Sequence, residues 1–238
     1  MERARTQVED YRGRGLTYDS HNGTDFAIPP GTPVLAPAPA RVVRISTEFH
    51  RGGLKVVLDH GSALLTGHAH LSRVLVEEGA VLRRGEMFAL SGMSGLDGFV
   101  AFPWLAPHVH FNVWLGEDYV DPFPHHGAAS LFRGGSPVPY DPATFDRSVD
   151  ANPESTDWDH EAVEEVLAGC LDPETRARLD SRKDPMVRAG SLFMERSYFP
   201  GRFGSTRPLA RTVRARAPHL DLPFSIDTFD GVVLADEV

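Results

Sequence analysis

The sequence predicts a mainly β fold: an antiparallel β half over residues 1–126, followed by a mixed, partly helical extension over residues 127–238. Three observations predict it. Short β-prone runs follow one another from residue 33 to about residue 120, each closed by a turn signal. Glycine (22) and proline (19) are frequent, which favours turns and short strands over long helices. Beyond residue 127 the apolar pattern changes to a helical period.

The β runs are Val34-Leu35-Ala36, Arg41-Val-Val-Arg-Ile45, Leu54-Lys-Val-Val-Leu-Asp59, Ala63-Leu-Leu-Thr-Gly-His-Ala-His70, Met87-Phe-Ala-Leu90 and His108-Val-His-Phe-Asn-Val-Trp-Leu115. Gly31, Gly52-Gly53, Asp59-His-Gly61 and Gly79 punctuate them, a spacing that suits a sandwich or barrel. Residues 133–155 are rich in Pro, Gly, Ser and Asp and read as a linker or long loop. Helix is expected near residues 157–182. Ser155-Thr-Asp-Trp-Asp159 offers N-cap residues, Val163, Val166, Leu167 and Cys170 share one helical face, and Asp172-Pro173-Glu174 opens a second short helix. Residues 190–238 read as short β-prone and turn-like pieces.

The chain of 238 residues carries a net charge of −9 spread over both halves, so it has no general pull toward nucleic acid or anionic membrane. The local basic stretch Arg207-Pro-Leu-Ala-Arg211-Thr-Val-Arg214-Ala-Arg216 reads as a solvated strand face or surface loop. A single cysteine, Cys170, excludes an internal disulfide and reads as a small core residue. No stretch approaches the apolar length of a membrane span. The charged start has no apolar run behind it, so the expectation is no secretory signal and a cytoplasmic chain as written. Nothing sets the oligomeric state.

Nine of the 11 histidines lie within residues 1–126. Strand alternation puts His108, His110, Asn112 and Trp114 on one face and the apolar Val109, Phe111 and Val113 on the other. The same alternation places His68 and His70 together, about 7 Å apart along their strand, so two such strands would line a cleft with imidazoles. His21-Asn-Gly-Thr-Asp25 adds a histidine and a carboxylate around a glycine. Neutral imidazole and carboxylate suit zinc, and two histidines with one carboxylate form a known catalytic set. Spacing alone leaves a metal site and a coincidence of polar residues both open.

Three segments carry a family resemblance. His21-Asn-Gly-Thr-Asp25-Phe-Ala-Ile-Pro-Pro-Gly31, Gly67-His-Ala-His70-Leu-Ser72 and His108-Val-His110-Phe111 resemble, in order, the signature segments of the M23 metallopeptidases, the lysostaphin/LytM-type endopeptidases. The resemblance covers about residues 11–122. It implies one Zn²⁺ per chain held by His21, Asp25 and His110, with His70 and His108 as the catalytic pair. It also implies an antiparallel β structure of hybrid-barrel type, and a substrate among peptidoglycan stem or cross-bridge peptides, or another peptide. The resemblance also implies a family that usually acts in the cell envelope or outside the cell.

The sequence departs from the family pattern in places. Asn112 stands where an acidic residue is frequent, and either assists a ligand or lines the cleft. His68 stands where an aromatic is common and reads as a hydrogen-bonded bystander. Phe99, Phe102 and Trp104 form a substrate rim or pack on the protein's own surface. Tyr18, or else Tyr11, is placed to help hold an oxyanion. His50, His60, His125 and His126 match no family position and read as surface residues.

Two rival readings remain. One is a non-catalytic M23-like binding or regulatory protein, which five intact signature positions argue against. The other is a hybrid-barrel phosphoryl carrier, which would not need Asp25. A lipoyl- or biotin-type carrier lacks a suitable lysine, since Lys55 is the only one in the β half.

Overall fold

A computed structural model describes residues 4–6, 23–96, 106–124, 127–135, 137–144 and 154–233. The main sheet contains β1 (Ala4–Thr6), β2 (Thr24–Ala27), β3 (Pro33–Leu35), β4 (Ala40–Glu48), β5 (Gly53–Asp59), β6 (Leu64–Val74), β7 (Val81–Leu82), β8 (Met87–Ser91), β9 (His108–Leu115), β10 (Asp118–Tyr119) and, near the C-terminus, β13 (Val232–Val233). Its order is β13-β1-β2-β9-β6-β5-β4-β7, with β10 on β9 and with β8 pairing both β3 and β6. Every pairing in it is antiparallel except β1 with β13. The predicted mainly antiparallel β fold is what the described residues form.

The sheet is apolar on both faces. Val42, Val56, Leu58 and Leu64 enter one core, while their chain neighbours Val43, Val57 and Leu65 enter a second on the opposite face, as a period of two requires. The first core gathers Phe26, Phe88, Val109, Phe111 and Val113, and the extension closes it with Phe132, Leu220, Leu222 and Phe224. Phe224 comes from β12 (Leu222–Ser225), which pairs in parallel with β11 (Pro139–Tyr140). A strand pair thus forms where part of residues 133–155 reads as loop.

Helices of the extension cover the second face. They are α1 (His160–Ala168), α2 (Pro173–Asp180) and α3 (Pro185–Tyr198). Each begins at an aspartate whose carboxylate accepts from backbone N–H groups of the first turn: Asp159, Asp172 and Asp184. The first two helices fall where the sequence predicts helix. The third corrects the reading of residues 190–238, whose first nine residues are helical. Asp184-Pro185 repeats the Asp172-Pro173 start signal, and Leu192, Phe193 and Met194 bury against the sheet.

α3 lies close to β4. A Cβ on Gly190 would come within 2.5 Å of the Val43 Cβ, so only glycine fits. Beside it, the Ser191 hydroxyl donates to the Val43 carbonyl at 3.0 Å. Glu195, one turn on and 2% exposed, accepts from Arg44, Arg178 and Arg202. Cys170 is buried in the same core, as expected. The basic stretch lies outside the named strands and is pinned: Arg207 to Glu165 and Asp159, Arg211 to Asp157, and Arg214 to Glu154. Among the described residues no helix is long and apolar enough to cross a membrane.

Candidate active site

Three adjacent strands build the site. In the β2–β9 register Asp25 stands opposite His110 and Ala27 opposite His108; in the β6–β9 register Ala69 stands opposite His110. Directly opposed side chains share a face. Asp25 and His110 therefore meet, and His110 Nδ1–H donates to Asp25 Oδ1 at 2.7 Å. His108 Nε2 lies 3.8 Å from Asp25 Oδ2. The Asp25 carboxylate is buried, while the His110 side chain keeps 18% exposure and so opens to solvent.

His70 reaches this face by an exception to strand alternation. His68 pairs with Phe111 on the core face, and regular alternation would put His70 there too. Instead His70 adopts φ +59°, in the left-handed region that non-glycine residues rarely occupy. The β6 pairing switches here from β9 to β8, and the imidazole turns outward. Its ring centroid lies 4.6 Å from that of His108 and 6.4 Å from that of His110. The expected His68–His70 pair on one face is corrected accordingly. His68 is buried in the core between Phe88 and Phe111, with ring centroids at 4.9 and 5.2 Å.

Backbone carbonyls set the tautomers of the two outer imidazoles. His70 Nδ1 sits 2.8 Å from the Ser94 carbonyl, and His108 Nδ1 3.0 Å from the Ala106 carbonyl. A carbonyl only accepts, so both Nδ1 atoms donate and each neutral ring keeps its lone pair on Nε2. The His70 backbone N–H donates to Gly52 at 2.7 Å, tying the residue to the β4–β5 hairpin.

Gly23 closes the other side. A Cβ there would stand 2.8 Å from His110 Nε2 and 2.7 Å from Asn112 Nδ2, so the bare backbone leaves space for the ring. Asn112 is buried, and its Oδ1 accepts from the Tyr198 hydroxyl of α3 at 3.3 Å. Tyr198 was invisible as a neighbour of this site in the sequence, being 86 residues away.

The structure thus brings together Asp25, His70, His108, His110 and Asn112. His21, Tyr18 and Trp104 lie outside the described residues, as do Tyr11, Phe99, Phe102, His125 and His126. Among the described residues no group of three His, Cys, Asp or Glu side chains is arranged to hold a metal ion. His50 is exposed, as expected. His60 is not: it is buried, with Nδ1 3.1 Å from the Pro39 carbonyl and Nε2 2.8 Å from the Thr66 hydroxyl. Its turn folds back over the sheet, so a residue that reads as surface is enclosed.

Comparison with known proteins finds similar chains. A peptidoglycan DD-endopeptidase of Vibrio cholerae, ShyA, is 38% identical over 93 residues, which are 39% of this chain and 20% of the relative. Lysostaphin of Staphylococcus simulans is 27% identical over 135 residues, covering 55% of this chain and 26% of the relative. Among solved structures, a variant of the catalytic domain of the prophage-encoded M23 protein EnpA from Enterococcus faecalis matches with a TM-score of 0.44 and 25% identity. That match covers 52% of this chain and 92% of the other. The chain spans about a fifth to a quarter of the length of the curated relatives it matches. The model of Peptidase family M23 matches residues 19–122. That match takes in Asp25, His70, His108 and His110.

Proposed function

We propose that the chain is a zinc metalloendopeptidase that hydrolyses peptide bonds in peptidoglycan stem or cross-bridge peptides. The observation that carries this reading is the convergence of Asp25, His108, His110 and His70 from three strands, with the lone pairs of His70 and His108 held on Nε2. The names of the relatives, which include DD-endopeptidases and lysostaphin, supply the substrate class.

His21, Asp25 and His110 are assigned as the metal ligands. The donor set fits zinc: a neutral imidazole and a carboxylate are zinc ligands, and His110 Nδ1 and Asp25 Oδ1 face each other at 2.7 Å. Zinc held there supplies Lewis acidity, polarising a carbonyl oxygen and acidifying water.

The chain's own residues do the rest. His108 Nε2 takes up a proton from the attacking water while Nδ1–H stays on the Ala106 carbonyl, and Asp25 Oδ2 at 3.8 Å stabilises the resulting imidazolium. That proton then passes to the departing amine. His70 has no Nε2 proton in its neutral form, so it stabilises an oxyanion only as the imidazolium.

His70→Ala should lower kcat by about 10²–10³-fold, the usual cost of losing one oxyanion donor, with zinc content unchanged. Unchanged turnover would remove His70 from this role. Loss of zinc would make it a ligand instead.

A further inference from the structure

One cavity carries a charge opposite to that of the chain. It has a volume of about 600 Å³ and lies between the end of the β4–β5 hairpin and helices α2 and α3. Arg44, Arg51, Arg178, Arg182 and Arg202 line it, against two carboxylates, Glu48 and Glu195. None of the imidazole-cleft residues takes part.

The surrounding ion pairs do not cancel this excess. Glu195 accepts from Arg44, Arg178 and Arg202; Glu78 lies 3.0 Å from Arg182; Asp172 lies 3.4 Å from Arg202. Glu48 is shared between Lys55, at 3.1 Å, and Arg44, at 3.7 Å. Counting Lys55, six cations face four carboxylates, a surplus of two positive charges in a chain of net charge −9.

Two arginines have unused capacity. Arg51 pairs with no carboxylate among the described residues: it donates to the Tyr198 carbonyl at 3.3 Å and stacks on the Phe199 ring at 5.1 Å. Arg44 is 5% exposed, and its Nη1 has no hydrogen-bond partner among the described residues. A buried guanidinium nitrogen without an acceptor is costly, and a bound oxyanion would satisfy it.

We propose that this cavity binds a dianionic oxyanion of the phosphate class, either free phosphate or a phosphate monoester. A phosphate monoester carries about −1.5 to −2 charges near neutral pH, which matches the surplus of two. Guanidinium forks fit phosphate oxygens bidentately. The forks are also held in advance by Glu195, the Tyr198 carbonyl and the Phe199 ring, so little side-chain freedom is lost on binding. Anion binding here is independent of whether the imidazole cleft hydrolyses peptides.

The test is isothermal titration of the full chain with inorganic phosphate, after EDTA treatment and dialysis into metal-free buffer so that neither metal nor chelator competes for the anion. The expected result is one saturable site, weakened about tenfold or more in Arg51→Gln and in Arg178→Gln. Both replaced side chains are at least partly exposed, so folding should survive. Arg211→Gln, an exposed arginine paired with Asp157 away from the cavity, should bind as the parent does. Glycerol 3-phosphate binding as tightly as phosphate would identify an ester as the occupant, and phosphate binding alone would identify the free ion. Absence of a saturable site, equal binding by Arg51→Gln, Arg178→Gln and the parent, or tighter binding of succinate than of phosphate would overturn the proposal.

Discussion

Replacing His68 with leucine should flatten the acid side of the stability profile. His68 is 1% exposed between Phe88 and Phe111, and burial pushes its imidazole down to about 3. In the unfolded chain the same group titrates near 6.5. Between these values the unfolded state binds a proton that the native state refuses. Stability is therefore complete above about pH 6.5 and is lost as the pH falls toward 3. The slope is about 1.4 kcal/mol per pH unit, so the fall from pH 7 to pH 5 costs about 2 kcal/mol through this residue. His60, also buried and held well below its ordinary range by desolvation, shifts parent and variant in the same direction. Urea unfolding at pH 8, 7, 6 and 5 should show His68→Leu overtaking the parent by about 2 kcal/mol at pH 5 relative to pH 7. Parallel profiles for the two proteins would refute the reasoning.

Other perturbations follow from the helical cover. Gly190→Ala forces a methyl against Val43 and should destabilise the chain by about 1–3 kcal/mol, read as a lower Tm. Glu195→Gln leaves three guanidiniums without their shared carboxylate and should cost about 3 kcal/mol or more in denaturant titrations. At the cleft, His110→Ala should lose bound zinc by elemental analysis whereas His108→Ala should keep it, since only the first removes an assigned ligand.

Much of the site was legible in the sequence because strand alternation is simple. The His-x-His-Phe-x-Val pattern of β9 places His108 and His110 on one face, and the β2–β9 register then delivers Asp25 to His110. Alternation misleads at His70. A left-handed backbone there reverses the face, and nothing in Gly67-His-Ala-His70 announces a positive φ at a histidine. The burial of His60 likewise depends on a turn folding back to Pro39, a contact no local pattern encodes.

The extension was legible at its start signals but not in its purpose. Residues 155–159 and Asp172 marked two helices, whereas α3 interrupts its apolar face with Gly190 and Ser191, residues chosen by close contact with Val43. Its last residue, Tyr198, reaches Asn112 two positions from His110. The shared cores show why the extension packs rather than trails: Phe132, Leu220 and Phe224 complete one side of the sheet, and Leu192 and Phe193 the other.

The most direct measurement is mass spectrometry of the products released when the zinc-loaded chain meets purified peptidoglycan, alongside His108→Ala. New peptide fragments cut at a single type of bond, and absent with His108→Ala, are the predicted result. No fragments from a protein that retains one zinc, or the same fragments from His108→Ala, would contradict the assignment of this cleft as a peptidoglycan endopeptidase.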